Sequence, residues 1–374
     1  MFDCAVIGAG AFGSWTALRL RETGRRVALV EAIAPGNPKS SSGGASRVIR
    51  MGYGADEIYT RWSRRSLADW KELAERAGRR DLFQPTGVLW TALRGHPYGE
   101  ATLQMLAQER IAHEVLSSGE LQQRYPMLRF QEDVLAILEP ESGALLANQA
   151  VRAVAEEAQR IGVESIEGKA LPFPEKGRLE RLTTDSGIAI EAGTFIFACG
   201  PWLPKLFPEA VGGRIRVTRQ PIFYFDAPGI AMPVWIDFTD PRGAYTIPPM
   251  DGKSFKLALD QHGAPFDPDT GSRTVTAEET AAARAFLAER FPALRDAEVL
   301  ETEVCQYEST SSGDFLIDRH PAMTNVWLVG GGSGHGFKHG PAVGAYAAAA
   351  IGGADGEPRF RWASKSKTAE RRVY

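Results

Sequence analysis

The hydrophobic pattern at the beginning of the chain changes its period twice. Residues Phe2–Ile7 are mostly apolar, residues 13–23 have apolar positions at helical spacing, and residues 26–31 form a second mostly apolar run. A strand, a helix and a strand in this order predict the opening of a doubly wound parallel sheet. We therefore expect an α/β architecture for this part of the chain.

Helical periodicity returns farther along the chain. It predicts helices over residues 65–77, 149–161 and 277–291. In front of the last of these, Thr276 and Glu279 form the pattern T-x-x-E, which is typical of a capping box at a helix N-terminus.

The segments between these helices have two different characters. Four short segments with turn residues between them predict an antiparallel sheet: residues 216–225, 234–238, 244–247 and 254–260. Residues 194–198 and 325–329 instead resemble buried parallel strands, and glycines follow both. An antiparallel sheet is therefore expected to be inserted into a discontinuous nucleotide-binding domain.

With 374 residues, the chain is too long for one ordinary core. We expect an α/β fold, α+β overall, with a Rossmann-like nucleotide-binding domain and an inserted antiparallel-sheet substrate domain. The first is predicted to comprise residues 1–82, 146–213 and 306–374. The second is predicted to comprise residues 83–145 and 214–305.

Composition and charge exclude several classes of protein. Hydrophobic residues make up 44% and charged residues 24% of the chain, as in a globular protein, and the net charge of −3 argues against nucleic-acid or anionic-membrane partners. No apolar run reaches the roughly 18 residues of a membrane span. Cys4, Cys199 and Cys305 are odd in number and have no metal-ligand spacing, so we expect neither disulfides nor a metal. With no secretory signal apparent, the cytoplasm is the expected location.

The glycines after the first predicted strand match a dinucleotide-binding turn. Gly8-Ala9-Gly10-Ala11-Phe12-Gly13 fits G-x-G-x-x-G between a strand and a helix. Gly8 permits the tight turn, Gly10 lets the backbone approach a pyrophosphate, and Gly13 lets helix and strand pack closely. Glu31 ends the second strand, where a carboxylate can bind a ribose hydroxyl. This motif leaves open whether the cofactor is NAD or FAD.

Two later glycine-rich stretches favour a flavin. FACGPWLPKL places Gly200 and Trp202 after a strand, at the edge where ligands bind in open α/β sheets. The stretch VGGGSGHGFKHGPAVG contains Gly332, Gly334 and Gly336 and leads into a helical pattern. A second junction of this kind offers N–H groups to an anionic or carbonyl group. An isoalloxazine ring, whose pyrimidine end must be held, needs such an element, whereas a nicotinamide enzyme does not.

Taken together, these motifs resemble the monomeric sarcosine oxidase and N-methyltryptophan oxidase family, within the D-amino-acid-oxidase-like flavoproteins. The resemblance runs from end to end and rests on five motifs: GAGAFG, GGASRVIRMGYG, the stretch from Cys305 to Asp318, IDRHP and SGHGFK. It implies FAD, attached through a thioether to Cys305, because Tyr307 and the FLID motif keep the family's spacing from that cysteine. Considered alone, Cys305 would be a small buried hydrophobe. Cys4 and Cys199 are expected to lie within strand cores.

The resemblance also implies roles for charged residues. Arg50 and Lys338 match the pair that binds the substrate carboxylate, and Ser46 and Arg47 would lie against the flavin. Lys256 matches a lysine that helps oxygen react, because a fixed positive charge stabilises the anionic charge that forms on oxygen. For Arg50 the alternative is a surface arginine. For Lys338 it is a lysine at a helix start, and for Lys256 it is a solvated strand lysine.

Aromatic residues and histidines complete the set of candidates. Tyr245 and Tyr307 match positions of the family's aromatic pocket, although either could be an ordinary core tyrosine. His335 and His339 have a spacing of i, i+4, but no third ligand is evident, so we expect structural or flavin-adjacent roles.

Asp260 departs from the family, which has a histidine at this position in its sarcosine-oxidising members. Lys256, Ala258, Asp260 and His262 share strand parity, so all four would face the flavin if the strand continued that far. A carboxylate there would favour a cationic amine or accept hydrogen bonds from a second polar group of the substrate. The alternative is an aspartate at a strand end that is turned to solvent.

The activity that the resemblance implies is oxidation of the C–N bond of a secondary, cyclic or N-substituted amino acid. The partners would be this substrate and O2, with an imine and hydrogen peroxide as products, in a protein expected to be a monomer. Three alternatives remain open: an FAD-dependent dehydrogenase that uses a quinone or carrier, a flavin-binding protein without oxidase turnover, and an NAD dehydrogenase.

Overall fold

A computed structural model describes residues 1–252, 254–261 and 263–367 of the protein. The α-helices in these residues, α1 to α8, are Ala11–Glu22, Glu57–Arg76, Pro97–Gln108, Ser118–Arg124, Ala147–Arg160, Leu203–Leu206, Ala277–Arg290 and Gly340–Ile351. The strands, β1 to β19, are Phe2–Ile7, Val27–Glu31, Ser46–Ile49, Phe83–Gln84, Val88–Leu93, Glu114–Leu116, Val134–Glu139, Gly143–Leu146, Glu164–Glu167, Leu182–Thr183, Ala189–Ile190, Ala192–Phe197, Ile215–Asp226, Val234–Asp237, Ala244–Ile247, Ser254–Leu259, Val299–Thr310, Leu316–Arg319 and Val326–Gly330.

A six-stranded sheet has the order β18-β19-β12-β1-β2-β9. Neighbouring strands run parallel except β18, which is antiparallel to β19. The carboxyl ends of β1, β2, β12 and β19 therefore meet at one edge, where open α/β sheets bind their ligands. The prediction of a doubly wound opening is confirmed.

Helices α1 and α8 pack closely beside this sheet because glycines remove side-chain bulk between them. A Cβ atom on Gly344 would lie 2.6 Å from the backbone carbon of Trp15, and one on Gly340 would lie 2.6 Å from the Trp15 ring. The Trp15 ring packs edge-on against Trp70 of α2, with 5.1 Å between ring centroids. Both tryptophans are almost fully buried in the largest apolar core.

An eight-stranded sheet has the order β17-β13-β16-β15-β14-β5-β7-β6. Its neighbouring strands are antiparallel except β5 and β14, which run parallel. The predicted antiparallel segments all lie in this sheet. The domain boundaries stay a prediction, and the one between residues 305 and 306 falls inside β17.

Helix α2 begins at Glu57, eight residues earlier than its sequence pattern predicts. Asp56 caps it, with its carboxylate accepting a hydrogen bond from the Tyr59 N–H at 3.2 Å. The buried face of its first half carries Thr60, Ser63 and Ser66, so the expected apolar periodicity is missing there. The predicted capping box of α7 is confirmed.

Within the described ranges, no helix combines the length and apolarity that a membrane crossing requires.

Candidate active site

A cavity of about 720 Å³ opens along the carboxyl edge of the six-stranded sheet. It runs from Glu31 at the end of β2, past the glycine turn after β1, to Cys305 on β17 and Gly334 after β19. The predicted cofactor-binding residues that line it are Gly8, Gly10, Phe12, Glu31, Arg47, Gly200, Trp202, Cys305, Gly332, Gly334 and Gly336. Gly13, Ser46 and Lys338 do not line it.

The turn after β1 has the geometry that its motif predicts. Gly8 has a φ of +100°, and a Cβ atom there would lie 2.5 Å from the Ala198 carbonyl oxygen. A Cβ atom on Gly13 would lie 1.7 Å from the Gly8 carbonyl oxygen, so only glycine allows this approach of α1 to β1. Gly10 is the N-cap of α1 and has no side chain between the cavity and the helix N-terminus. An anionic group is stabilised at such a helix end.

Glu31 is held in place by this turn. Its Oε2 accepts a hydrogen bond from the Ala9 N–H at 2.7 Å, and its Oε1 accepts one from the Ile33 N–H at 3.2 Å. Burial raises the pKa of its carboxyl group, which these N–H groups partly oppose. The carboxylate lies where a ribose hydroxyl would be bound next to a pyrophosphate at the glycine turn. The turn, the carboxylate and the long cavity together fit FAD.

Cys305 lies at the other end of this cavity. It is half-buried on β17, and Nη2 of Arg47 donates a hydrogen bond to its Sγ at 3.3 Å. The same guanidinium donates to the carbonyl oxygens of Ser41 and Ser46, both at 2.7 Å. These contacts fix a positive charge beside the sulfur.

Lys256 on β16 is buried behind Arg47 and Ser46. Its side chain is 1% exposed, and its Nζ donates a hydrogen bond to the Ser46 carbonyl oxygen at 2.8 Å. Burial and the neighbouring charge of Arg47 lower its pKa to about 7. A solvated strand lysine is therefore the wrong alternative. Lys256 lines neither this cavity nor the smaller one beside it.

A second cavity, of about 70 Å³, adjoins the first. Cys305, Tyr307 and Gly334 line both. All four predicted substrate-binding residues line the second: Arg50, Tyr245, Asp260 and Lys338. The fold thus brings together residues from β3, β15, β16, β17 and the loop before α8.

Arg50 is 3% exposed, so the alternative of a surface arginine is wrong. Its Nη1 donates a hydrogen bond to the Gly52 carbonyl oxygen, and its guanidinium carbon lies 4.3 Å from the ring centroid of Tyr53 and 4.6 Å from that of Trp90. Residues 50–52, which include Arg50, are anchored by Glu139 at the end of β7. The sequence analysis missed this residue.

Glu139 is a buried carboxylate with several donors. It accepts hydrogen bonds from the Met51 N–H at 2.7 Å, the Gly52 N–H at 3.0 Å and the Trp90 indole at 2.6 Å. The Ser142 hydroxyl donates at 2.5 Å. The only signal in the sequence is a single acid at the end of an apolar strand.

Lys338 is buried in a 3-10 turn over Phe337–His339, ahead of α8. Its Nζ donates hydrogen bonds to the Tyr53 hydroxyl and to the His335 carbonyl oxygen, both at 2.9 Å. Burial and then the charge of Arg50 hold its pKa well below the usual range. Two basic side chains, Arg50 and Lys338, therefore share this small cavity, and burial favours the neutral form of Lys338.

The two histidines beside Lys338 belong to the same buried cluster. The Tyr53 hydroxyl lies 3.2 Å from Nδ1 of His335 and 2.8 Å from Nε2 of His339. Burial and the charge of Lys338 hold the pKa of both histidines well below the usual range. In the parts of the chain that the structure describes, no cluster of three potential metal ligands occurs. Tyr53 is a second residue that the sequence analysis missed.

Asp260 follows the end of β16 at Leu259 and is part of the wall of the second cavity. The Tyr307 hydroxyl donates a hydrogen bond to its Oδ1 at 3.0 Å. The alternative of an aspartate turned away to solvent is therefore wrong. The strand predicted over residues 254–260 ends at Leu259, one residue earlier, so the described strand does not meet the condition for a shared facing of all four residues, and His262 lies outside the described residues.

Cys199 differs from expectation, whereas Trp202 lines the cavity as its place after the strand predicts. Cys199 lies after β12 and lines the large cavity rather than a strand core, with its thiol donating to the Ile7 carbonyl oxygen at 3.3 Å. Burial raises the pKa of this thiol. Trp202 lies at the wall of the same cavity, and its indole donates to Oδ1 of Asp269 at 2.9 Å.

Comparisons with known proteins agree with this geometry. Residues 3–350 match the family model described as DAO, FAD dependent oxidoreductase. The chain is 30% identical to monomeric sarcosine oxidase of Bacillus sp. (strain B-0618) over 354 residues, which cover 92% of this chain and 90% of that protein. It is 26% identical to N-methyl-L-tryptophan oxidase of Yersinia pestis over 364 residues, covering 93% and 94% of the two chains.

Among solved structures, L-proline dehydrogenase from P. horikoshii has the same fold, with a TM-score of 0.82, 23% identity and coverage of 93% of this chain and 92% of that one. The resemblance inferred from the motifs and the predicted fold class are both confirmed. The chain belongs to the DAO family of FAD dependent oxidoreductases.

Proposed function

We propose that the protein is an amine oxidase that uses FAD and O2 to oxidise the C–N bond of a secondary, cyclic or N-substituted amino acid. The products are an imine, which hydrolyses, and hydrogen peroxide. The observation that carries the proposal is the pair of buried basic side chains, Arg50 and Lys338, in a small cavity that adjoins the large one at Cys305. The relatives named sarcosine oxidase and N-methyl-L-tryptophan oxidase support the substrate class.

Bound FAD supplies the acceptor for a hydride equivalent and is reoxidised afterwards. The glycine turn, with Gly8 and Gly10, holds its pyrophosphate, and Glu31 binds a ribose hydroxyl. Cys305 forms a thioether to the cofactor, a proposal that its place at the junction of both cavities and its contact with Arg47 support.

Arg50 and Lys338 bind the carboxylate of the substrate. A guanidinium offers two parallel donors, and an ammonium adds a point charge. Because both groups are buried, their attraction for a carboxylate is weakly screened by solvent. A substrate carboxylate also favours the charged form of Lys338, whose pKa burial lowers.

Lys256 stabilises the negative charge that forms on oxygen. Its ammonium is held at 2.8 Å from the Ser46 carbonyl oxygen, next to Arg47, so its position is fixed before the reaction. This arrangement favours O2 over a quinone or a carrier as the acceptor. The dehydrogenase that shares this fold makes a carrier the second candidate.

Asp260 sets the substrate preference. It faces the same cavity as the two cations and is linked to Tyr307, so a substrate with a second donor group finds an acceptor there. We expect cyclic imino acids, or bulkier N-substituted amino acids with an extra donor, to be better substrates than sarcosine.

A panel of amines scored for peroxide tests the proposal. The panel should include sarcosine, cyclic imino acids, bulkier N-methyl amino acids and the decarboxylated amine of each. Peroxide in proportion to substrate consumed, with carboxylate-bearing substrates preferred, is the expected result. Cofactor reduction without peroxide in air would assign the dehydrogenase reaction instead, and the absence of reduction by every amine would refute the proposed function. A mass measurement in solution tests the expected monomer.

A further inference from the structure

Glu308 on β17 has a carboxylate oxygen without a hydrogen-bond partner among the described residues. The side chain is 8% exposed and lines the large cavity. Its Oε1 accepts a hydrogen bond from the Gly332 N–H at 3.3 Å, whereas Oε2 is fully buried and has no donor. Glu308 lies in the stretch from Cys305 to Asp318, but the sequence predicted no role for it.

Three glycines lie close to this carboxyl group. A Cβ atom on Gly330 would lie 3.3 Å from Oε2, and one on Gly332 or Gly200 would lie 3.5 Å or 3.9 Å from Oε1. Three elements thus approach it, the turn after β12, the end of β19 and the loop that follows, and the last of these supplies the Gly332 N–H. The Cys199 thiol is the titratable group of the first of these turns.

Three of the basic residues that line the same cavity have partners elsewhere. Nζ of Lys205 donates to both oxygens of Asp267 at 3.0 Å, and Arg47 donates to Ser41, Ser46 and Cys305. Lys169 lies 3.7 Å from Asp269. Glu308 has no ion pair with any of them in the described part of the chain.

A buried carboxyl oxygen without a donor is costly in free energy. Burial raises the pKa of Glu308 to about 7, against the opposing effect of the Gly332 and Gly331 N–H groups. Oε2 lies against Gly330, which does not line the cavity, whereas Oε1 lies beside Gly200 and Gly332, which do, so a group in the cavity can form a hydrogen bond with Oε1.

The position of Glu308 along the cavity indicates which part of FAD it would contact. Glu308 contacts the turns at Gly200 and Gly332, between the Gly8 turn, which approaches Ala198, and Cys305, three residues earlier on the same strand. The Gly8 turn suits the pyrophosphate, which has no donors, and Cys305 marks the place of the ring. The group that connects these two parts is a polyol chain, whose hydroxyl groups are donors.

We propose that Glu308 is a cofactor-binding residue whose Oε1, on the side of Gly200 and Gly332, forms a hydrogen bond with a hydroxyl group of the FAD polyol chain. Glu308 thereby distinguishes a flavin from a cofactor that lacks this chain. The inference does not depend on the substrate or on the acceptor of electrons.

The test is FAD binding, measured in a Cys305→Ala background so that the cofactor can be exchanged whether or not it is tethered in the natural chain. Glu308→Leu, which removes both oxygens, is expected to weaken FAD binding by at least about tenfold. Glu301→Leu, at an exposed position of the same strand, is the matched control and should leave the Kd unchanged.

A cycle between residue and ligand separates a direct contact from a structural effect. FAD analogues in which one polyol hydroxyl is replaced by hydrogen are titrated into the Cys305→Ala protein and into its Glu308→Leu derivative. For one analogue the Leu substitution should have almost no further effect, because the contact is already lost. If Glu308→Leu weakens all analogues and FAD equally, or weakens none, the proposal is wrong.

Thermal unfolding without FAD gives an independent readout. Glu308→Leu removes an unsatisfied buried carboxyl group, so the Tm of the cofactor-free protein should not fall. A lower Tm together with uniform loss of affinity would assign Glu308 a structural role. Should the Leu variant fail to fold, Glu308→Ala is used in the same cycle with the same criteria.

Discussion

Replacing Lys256 with methionine separates the two halves of the proposed reaction. Methionine has a similar length but no charge and no donor for the Ser46 carbonyl oxygen, to which Nζ of Lys256 donates at 2.8 Å. Loss of one preorganised charge typically slows the step that needs it by about 10²- to 10³-fold. Charge forms on oxygen only when the reduced cofactor is reoxidised. We therefore expect the rate constant of reoxidation to fall by this factor and the rate constant of anaerobic reduction by substrate to change little.

The same substitution has a predicted effect on stability, with a sign set by the pKa of Lys256. Burial and Arg47 lower this pKa from 10.5 to about 7. At a pH between these two values, Lys256 is therefore protonated in the unfolded chain and neutral in the folded chain. The lysine therefore reduces stability as the pH falls through that window, by roughly 5 kcal/mol at its lower end. Leaving the Ser46 carbonyl oxygen with one donor fewer costs about 1–3 kcal/mol.

We thus expect Lys256→Met to raise the free energy of unfolding of the cofactor-free protein by roughly 2–4 kcal/mol near pH 7. The gain should shrink as the pH rises and become a small loss above about pH 10.5, where the lysine is neutral in both states. Denaturant unfolding at several pH values measures this. Lys176→Met, at an exposed position, is the control and should show neither effect.

Stopped-flow absorbance measures the two half-reactions separately. In the natural chain, the rate constant of reoxidation should fall as the pH rises through about 7, because the ammonium is lost, and the methionine variant should lack this step. Equal slowing of both half-reactions would make Lys256 a substrate residue. Unchanged reoxidation would refute its role with oxygen.

Four further substitutions test the other site residues. Yellow colour should stay with the polypeptide after acid precipitation and be released in Cys305→Ala; flavin that washes off the denatured natural chain would exclude the tether. Arg50→Ala should raise KM for amino acids by a factor that corresponds to roughly 2–5 kcal/mol, with cofactor still bound; an unchanged preference over the decarboxylated amine would remove Arg50 from the carboxylate site. Asp260→Asn should change relative kcat/KM across the amine panel, whereas an unchanged ranking, or sarcosine as the best substrate, would refute its role. Glu139→Gln should raise KM for amino acids through a misplaced Arg50, with a smaller effect on the decarboxylated amines; equal effects on both would indicate a structural role only.

The sequence by itself determined the features that depend on neighbouring residues. The turn from Gly8 to Gly13 needs glycine because backbone atoms a few residues away, or on the adjoining strand, would collide with a Cβ atom. The capping box of Thr276 and Glu279 is likewise a contact between residues three apart. Such short-range constraints recur wherever the same fold is formed, so the motifs were sufficient to predict the fold and the family.

Only the tertiary structure decided the electrostatics of the candidate site. Glu139 reaches Met51 across 88 residues of sequence, and Lys256 reaches Ser46 across 210. The pKa of Lys256 and the unsatisfied oxygen of Glu308 result from burial among segments that are distant along the chain. Burial and long-range pairing depend on how several elements pack together, and no local pattern of residues encodes that packing.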